Sequence, residues 1–231
     1  MTTTSKRKKT WQADQDRNKK LSLLEAIEKS KKYGLKSFSE SLDLSLRLGI
    51  DPKKGEQNVR GSCTLPHGTG KSMRVLVFAK GEKEKEAKDA GADYVGGADL
   101  SEKIKGGFLD FDRVVATPDM MGEVGKIAKI LGPKGLMPNP KLGTVTMDLA
   151  QVIGEIKKGK VEFRVDKAAN LHVSCGKLSF EPSVLSENIR AIVETIIRLK
   201  PAQAKGVYLR SMFLSSTMGP SFRVDESEFI R

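Results

Sequence analysis

Cysteine and histidine are scarce in this sequence, which has two of each among 231 residues. Cys63 and Cys175 have no second cysteine or histidine close to them in the sequence, whereas zinc sites are built from clusters of such residues. We therefore predict two buried, reduced thiols and no metal site.

Catalytic patterns are also missing. His67 and His172 have no serine or acidic residue at a catalytic spacing, and no Gly-x-Ser-x-Gly, His-Glu-x-x-His or Cys-His pattern occurs. Residues 68–72 resemble the end of a phosphate-binding loop, but Leu65 stands where that motif requires glycine, and the segment precedes a strand instead of opening a helix. We interpret it as a linker or hinge, and we predict no catalytic residue, no cofactor and no enzyme.

Long hydrophobic runs are absent as well. No stretch reaches the length that spans a bilayer, and the hydrophobic region of a signal peptide is not present. We expect a cytoplasmic protein without a membrane partner.

Basic residues are abundant, with 41 Lys and Arg against 29 Asp and Glu, a net charge of +12. Residues 68–159 hold 15 basic and 13 acidic residues (+2), and the remainder holds 26 and 16 (+10). A positive balance suggests a polyanionic partner, which should contact mainly the two terminal segments. Residues 1–20 form a basic tail that either stays solvated or orders on RNA.

The first terminal segment combines an amphipathic helix with an alternating strand. Ser22 and Glu25 match a capping box, which predicts a helix that ends near Gly34. From Phe38 the apolar residues recur at every second position, which predicts a half-buried strand. Its polar face carries Ser41, Asp43, Ser45 and Arg47.

Alternation returns over residues 161–165 and 171–175, separated by the turn-like residues 167–170, and predicts a hairpin. Its polar side chains are Arg164, Asp166 and His172. If the hairpin shares a sheet with the first strand, the polar faces form one surface of hydroxyl, carboxylate and basic groups. These groups suit the 2′-hydroxyls, base edges and phosphates of RNA, although an ordinary solvated sheet face shows the same alternation.

The last part of the chain predicts a helix over residues 185–199 and a final strand over residues 207–216. Residues 217–221 then break the strand, since Pro220 has no N–H to continue the ladder. We expect this turn to expose its backbone amides and the Thr217 hydroxyl. Gly219 would allow either close approach of RNA or a left-handed conformation.

The middle of the chain alternates short, continuously apolar strands with helices, including predicted helices over residues 121–131 and 148–158. This order is typical of a largely parallel sheet between two helix layers. We predict a discontinuous α+β domain formed by residues 1–67 and 160–231. A three-layer, Rossmann-like α/β domain is inserted over residues 68–159.

The stretch between those two predicted helices is rich in glycine and proline, which break regular structure. Lys134 and Lys141 are its only charges. Such a loop is usually a solvated connector, but its sequence resembles the signature of the large-subunit ribosomal protein L1 family. The matching segments are Thr117-Pro118-Asp119, Gly122, the turn 131–134, Gly135-Leu136-Met137-Pro138-Asn139-Pro140-Lys141 and Gly143-Thr144-Val145. The resemblance extends from about Asp51 to Ser221, and the sequence of this loop is similar to that of bacterial or organellar members.

The resemblance implies a structural protein of the mobile stalk near the ribosomal exit site, monomeric when free. It implies three partners: large-subunit ribosomal RNA, tRNA at the exit site and the protein's own messenger RNA. The corresponding roles are RNA binding by the terminal-segment domain, assistance in the release of deacylated tRNA, and repression of its own translation.

The resemblance also points to individual residues. Phe38, Ser41 and Asp43 stand where the family has RNA-contacting strand residues, although Thr and Glu are more usual at the last two positions. Thr217-Met218-Gly219 matches a second contact segment without change. With the hairpin, the expected RNA-binding residues are Phe38, Ser41, Asp43, Arg164, Asp166, Lys167, His172, Thr217, Met218 and Gly219. Lys134 and Lys141 are expected near tRNA.

An alternative from another functional class is a nucleotide-dependent α/β enzyme with a basic auxiliary domain. Saturable binding of a fluorescent ADP analogue or of NADH would support it, and we expect none.

Overall fold

A computed structural model describes Trp11, Asp16, residues 19–35 and residues 37–229. The chain divides into two compact units, one formed by residues 1–70 and 161–231 and the other by residues 71–160. Most of the predicted basic tail, residues 1–20, lies outside the described residues. No helix within the described part of the chain has the length and apolar character needed to cross a bilayer.

Helices and strands are numbered here in chain order. The helices are α1 (Leu23–Tyr33), α2 (Glu82–Asp89), α3 (Ala98–Lys105), α4 (Met121–Lys126), α5 (Ala128–Leu131), α6 (Leu149–Lys157) and α7 (Pro182–Arg198). The strands are β1 (Ser41–Leu48), β2 (Arg60–Thr64), β3 (Val75–Phe78), β4 (Tyr94–Gly96), β5 (Arg113–Ala116), β6 (Lys160–Arg164), β7 (Asn170–Lys177), β8 (Leu209–Ser216) and β9 (Ser221–Val224). The predicted mixture of helices and strands is confirmed.

An antiparallel sheet with strand order β7-β1-β8-β9 organises the first unit. The alternating leucines of β1 are fully buried and share one core with the apolar residues of α1 and α7. The Ser22 hydroxyl accepts the N–H of Glu25 at 3.3 Å, so α1 begins at its predicted cap. It ends at Tyr33, and a Cβ on the following Gly34 would collide with Leu178. Both helices therefore pack on the apolar face of the sheet.

The hairpin turn predicted between β6 and β7 is confirmed, since the Asp166 N–H donates to the Asn170 carbonyl at 2.8 Å, but the two strands do not continue as a two-stranded ladder. β6 pairs with β2 in a separate sheet, and an isolated bridge between Val165 and Leu171 links the ends of β6 and β7. Phe163 and Val165 nevertheless lie in the same core as the leucines of β1. The apolar residues of β6 therefore fill this core from the two-stranded sheet. Alternation alone does not reveal which strand pairs with β6.

Two strand boundaries also differ from the prediction. β1 begins at Ser41, so Phe38 lies in the preceding loop instead of in the strand. After Ser216 the chain turns and continues as β9, antiparallel to β8. Pro220 does not end the sheet because it occupies the turn, where the ladder needs no N–H group.

A parallel sheet with order β4-β3-β5 forms the centre of the second unit. Val75 and Val77 of β3 pack with α2 and α6, whereas Leu76 and Phe78 pack with α3, α4 and α5. The unit therefore has three layers, and burial on both faces explains the continuous apolar run of β3. The helix predicted over residues 121–131 is divided at Ile127, whose φ of −109° and ψ of 7° leave the helical range.

Candidate nucleic-acid interface

The polar side chains of β1 lie on the face of the sheet opposite the core, and cross-strand pairing extends this face over four strands. Residues directly opposite each other in an antiparallel pair project to the same side. We call this surface the polar face. It comprises Ser41, Asp43, Ser45, Arg47, Asn170, His172, Ser174, Ser211, Phe213, Ser215, Ser221 and Arg223, all half-buried or exposed.

His172 is brought onto the polar face as expected, since it pairs with Ser45 in the ladder between β7 and β1. The Ser45 hydroxyl and Nδ1 of His172 lie 3.0 Å apart. This contact holds the exposed imidazole by one nitrogen, so the ring is oriented before any ligand arrives.

Sequence analysis did not name several residues of this surface, among them Phe213 and Arg223. These two residues pair directly across β8 and β9, and Phe213 also pairs with Ser45 of β1. Arg223 was missed because β9 was not predicted. Phe213 could have been found, because it lies between the buried residues Met212 and Leu214 and alternation places it on the opposite face. A half-buried ring here offers a surface on which a base or ribose can stack.

One edge of the polar face is formed by the start of β1 and the turn between β8 and β9. The Thr217 side-chain oxygen accepts the N–H of Ser41 at 3.0 Å, and the Ser41 carbonyl accepts the N–H of Thr217 at 3.1 Å. The Met218 N–H donates to the Glu40 carboxylate at 3.4 Å, and the Gly219 N–H to the Ser216 carbonyl at 3.3 Å. The prediction that this turn offers free amides is therefore wrong.

The turn instead exposes side chains. Thr217 is exposed, and Met218 is 56% exposed although it is apolar. Gly219 does not have a positive φ, so a left-handed conformation is not the reason for glycine at this position. A Cβ there would collide with the buried Ser216 hydroxyl, and packing within the turn explains the absence of a side chain.

Phe38 lies in the loop before β1 with 47% of its surface exposed. It lines an open cleft together with Lys31, Lys32 and Leu178. An exposed ring close to two lysines combines an apolar surface for a base with cationic groups for phosphate. The loop is tied to the 217–219 turn through Glu40, which accepts N–H groups from Leu35 and Met218.

The family of the chain follows from a comparison with known protein families. A model of the Ribosomal protein L1p/L10e family matches residues 23–220, which is most of the sequence. The chain belongs to this family. The resemblance noted in the sequence is confirmed, and with it a structural role in the large ribosomal subunit and ribosomal RNA as a partner. The family consists of structural ribosomal proteins and not of enzymes, which argues against the nucleotide-dependent alternative.

Three expected RNA-binding residues of this family member lie neither on the polar face nor in the Phe38 loop or the 217–219 turn. Arg164 belongs to the two-stranded sheet, and Asp166 and Lys167 lie in the turn that follows. The Asp166 carboxylate accepts the N–H groups of Asn170 at 2.7 Å and Ala168 at 2.8 Å. The bond from Asn170 is the largest cause that lowers the pKa of Asp166. Asp166 therefore has a role in forming the turn, and RNA contacts by these three exposed residues stay a prediction.

The loop that carries the family signature lies in the second unit and is internally bonded. The Asn139 N–H donates to the Thr144 side-chain oxygen at 2.7 Å, and the Thr144 hydroxyl donates to the Asn139 carbonyl at 3.1 Å. The Asn139 side chain accepts the N–H of Lys141 at 2.9 Å, and the chain then bridges to the end of β5. Lys134 and Lys141 are exposed on this ordered loop.

Both cysteines are free and buried, as predicted. Burial, and after it the nearby Asp43 carboxylate, raises the pKa of the Cys175 thiol far above its usual range. This thiol is therefore neutral beneath the polar face. Among the described residues, no group of three or more His, Cys, Asp or Glu side chains could hold a metal ion.

Proposed function

We propose that the polar face and the 217–219 turn bind the junction of large-subunit ribosomal RNA at the mobile stalk near the exit site. One observation carries the proposal. A single sheet face combines hydroxyl, carboxylate, imidazole and guanidinium groups, and it adjoins the exposed side chains of Met218 and Phe38.

The chemistry of this face favours an irregular RNA over a regular duplex. Five serines contribute short hydroxyl groups that suit 2′-hydroxyls and allow the RNA backbone to approach the sheet closely: Ser41, Ser45, Ser211, Ser215 and Ser221. Apolar contacts by Met218, Phe38 and Phe213 require bases that are not covered by stacking neighbours, as at a junction. The +10 charge of the terminal segments adds attraction for phosphates.

Filter binding to a transcript of the ribosomal RNA stalk tests this proposal. We expect tight binding that weakens as salt rises, because phosphate contacts release counterions. A regular RNA duplex of equal length serves as the control and should bind more weakly at every salt concentration. Equal affinity for both RNAs would show that charge alone drives binding and would contradict the proposed site.

We further propose that RNA affinity resides in the first unit. Residues 1–70 and 161–231 joined by a short linker should retain most of the affinity, whereas residues 71–160 alone should bind poorly. Circular dichroism must first establish that each shortened chain is folded. Comparable affinity in the folded 71–160 chain would refute this assignment.

The second unit, in this proposal, assists the release of deacylated tRNA through the exposed Lys134 and Lys141. Replacing both by Glu should leave binding to the stalk transcript unchanged and slow tRNA release from assembled ribosomes in a pre-steady-state assay. The matched control replaces Lys85 and Lys88, two exposed lysines of α2 in the same unit, by Glu. An unchanged release rate in the Lys134 and Lys141 variant, or an equal loss in the control, would leave the loop as a connector.

Repression of the protein's own translation would use the same polar face. The leader of its messenger RNA should then compete with the stalk transcript for binding, and added stalk RNA should relieve repression in a cell-free translation assay. Simultaneous binding of both RNAs would contradict a shared site.

A further inference from the structure

A buried carboxylate joins separate parts of the proposed RNA site. Glu40 is 1% exposed and directly precedes β1. Its Oε1 accepts the N–H of Leu35 at 2.7 Å, and its Oε2 accepts the N–H of Met218 at 3.4 Å. Its backbone carbonyl accepts the N–H of Leu178 at 2.8 Å. One residue thus links the loop that carries Phe38, the segment after β7 and the turn after β8.

The two side-chain bonds need a carboxylate in particular. A carboxylate offers an acceptor oxygen on each side, whereas an amide of the same size offers one acceptor and one donor. Burying an ionisable group is unfavourable unless hydrogen bonds compensate for the lost water. Packing alone would be served better by an apolar residue, so the two acceptors are the feature that distinguishes Glu40.

The next residue adds a second connection to the same turn. The Ser41 N–H donates to the Thr217 side-chain oxygen, and the Thr217 N–H donates to the Ser41 carbonyl. These bonds fix the first residue of the turn, and the Glu40 carboxylate fixes the second. Met218 therefore has its backbone held while its side chain is exposed to solvent.

We propose that Glu40 is a positioning residue of the RNA site. It does not contact RNA, but it orients the Met218 side chain and the Phe38 loop relative to β1 before RNA binds. Holding a binding surface in its bound arrangement reduces the entropy lost on association, and affinity rises accordingly. The inference rests on the proposed RNA-binding function of the polar face and the 217–219 turn.

The variant Glu40→Gln tests this role with little change in volume. The amide oxygen can still accept the N–H of Leu35, but the NH2 group then faces the N–H of Met218, donor against donor. We expect binding to the stalk transcript to weaken about tenfold, the usual effect of losing a hydrogen bond to a charged group. Binding is measured at a temperature where circular dichroism shows both proteins folded, so a change in stability alone does not alter it.

A double-mutant cycle separates positioning from an independent effect. If Glu40 acts through the turn, combining Glu40→Gln with Met218→Ala should weaken binding by less than the product of the single effects. The control combines Glu40→Gln with Arg47→Ala, at the far end of β1, and should give the full product. Amide hydrogen exchange of Met218 should also be faster in Glu40→Gln, with exchange of Leu35 little changed.

Binding of Glu40→Gln within twofold of the parent would overturn the inference, as would a full product with Met218→Ala. If Glu40→Gln does not fold, amide hydrogen exchange in the parent protein tests the inference instead. Protection of the Met218 amide by about tenfold or more supports the link, and exchange at the rate of an unprotected amide refutes it. A parent protein that does not bind the stalk transcript refutes the proposed function and this inference with it. A parent that binds, with Glu40→Gln equal to it, refutes the inference alone.

Discussion

Met218→Ala isolates the apolar contact that the turn would make with RNA. The side chain is 56% exposed, and its backbone N–H bond to Glu40 does not depend on the side chain. Fully burying a methionine side chain contributes about 1.5–3 kcal/mol. Because roughly half of the surface remains available, covering it with a base or sugar contributes about 1–1.5 kcal/mol. The variant should therefore bind about five- to tenfold more weakly.

The assay is filter binding to the stalk transcript, with thermal unfolding measured in parallel. The melting temperature should stay the same, since Met218 is not part of the core. Leu24→Ala provides a matched control, because Leu24 is similarly exposed at 52% but lies on α1, which packs on the opposite side of the sheet. The control should bind as the parent does. Met218→Ala binding within twofold of the parent would remove the turn from the proposed site.

Three further predictions concern turns of the first unit. Thr217→Ala should lower both the melting temperature and RNA affinity because it removes the acceptor of the Ser41 N–H, about 1 kcal/mol, whereas Thr217→Ser should restore the melting temperature; equal melting of the two variants would contradict the bond. Gly219→Ala should destabilise the fold because the new Cβ collides with the Ser216 hydroxyl, and adding Ser216→Ala should restore thermal stability. If RNA affinity stays low in the double variant, RNA approaches Gly219 closely. Full recovery of RNA affinity would refute such an approach. Asp166→Asn should lower the free energy of unfolding at pH 7. The hydrogen bond from the Asn170 N–H contributes most to lowering the pKa of the Asp166 carboxyl in the folded protein, so the ionised carboxylate stabilises the fold. This stabilisation is present above the ordinary pKa and disappears as pH falls through the lowered value, so the difference in urea unfolding should shrink below about pH 4, and a difference independent of pH would contradict the charge effect.

Alternation predicted much of the candidate site. The leucines of β1 identified its buried face, and their polar neighbours are the centre of the polar face. The continuous apolar run of β3 likewise indicated a strand covered on both sides. These patterns are informative because each depends on burial of the strand that carries it.

Pairing partners and buried polar contacts were not predictable in the same way. β6 and β7 both show alternation, yet they belong to different sheets, since a pattern does not specify the neighbouring strand. Glu40 was overlooked because a carboxylate next to exposed residues has no sequence signal for burial. Its importance depends on Met218, which is distant in sequence and donates an N–H to its side chain.

The central position of β1 has a consequence for synthesis of the protein. Its neighbours in the sheet are β7 and β8, and the bond between Ser41 and Thr217 spans 176 residues of sequence. Contacts this distant form late, whereas residues 71–160 contain their own core and can fold while the chain is still emerging. An unfinished chain that lacks β8 thus lacks the β8 and β9 part of the polar face and the 217–219 turn, so only chains synthesised beyond this turn would carry the whole proposed RNA site.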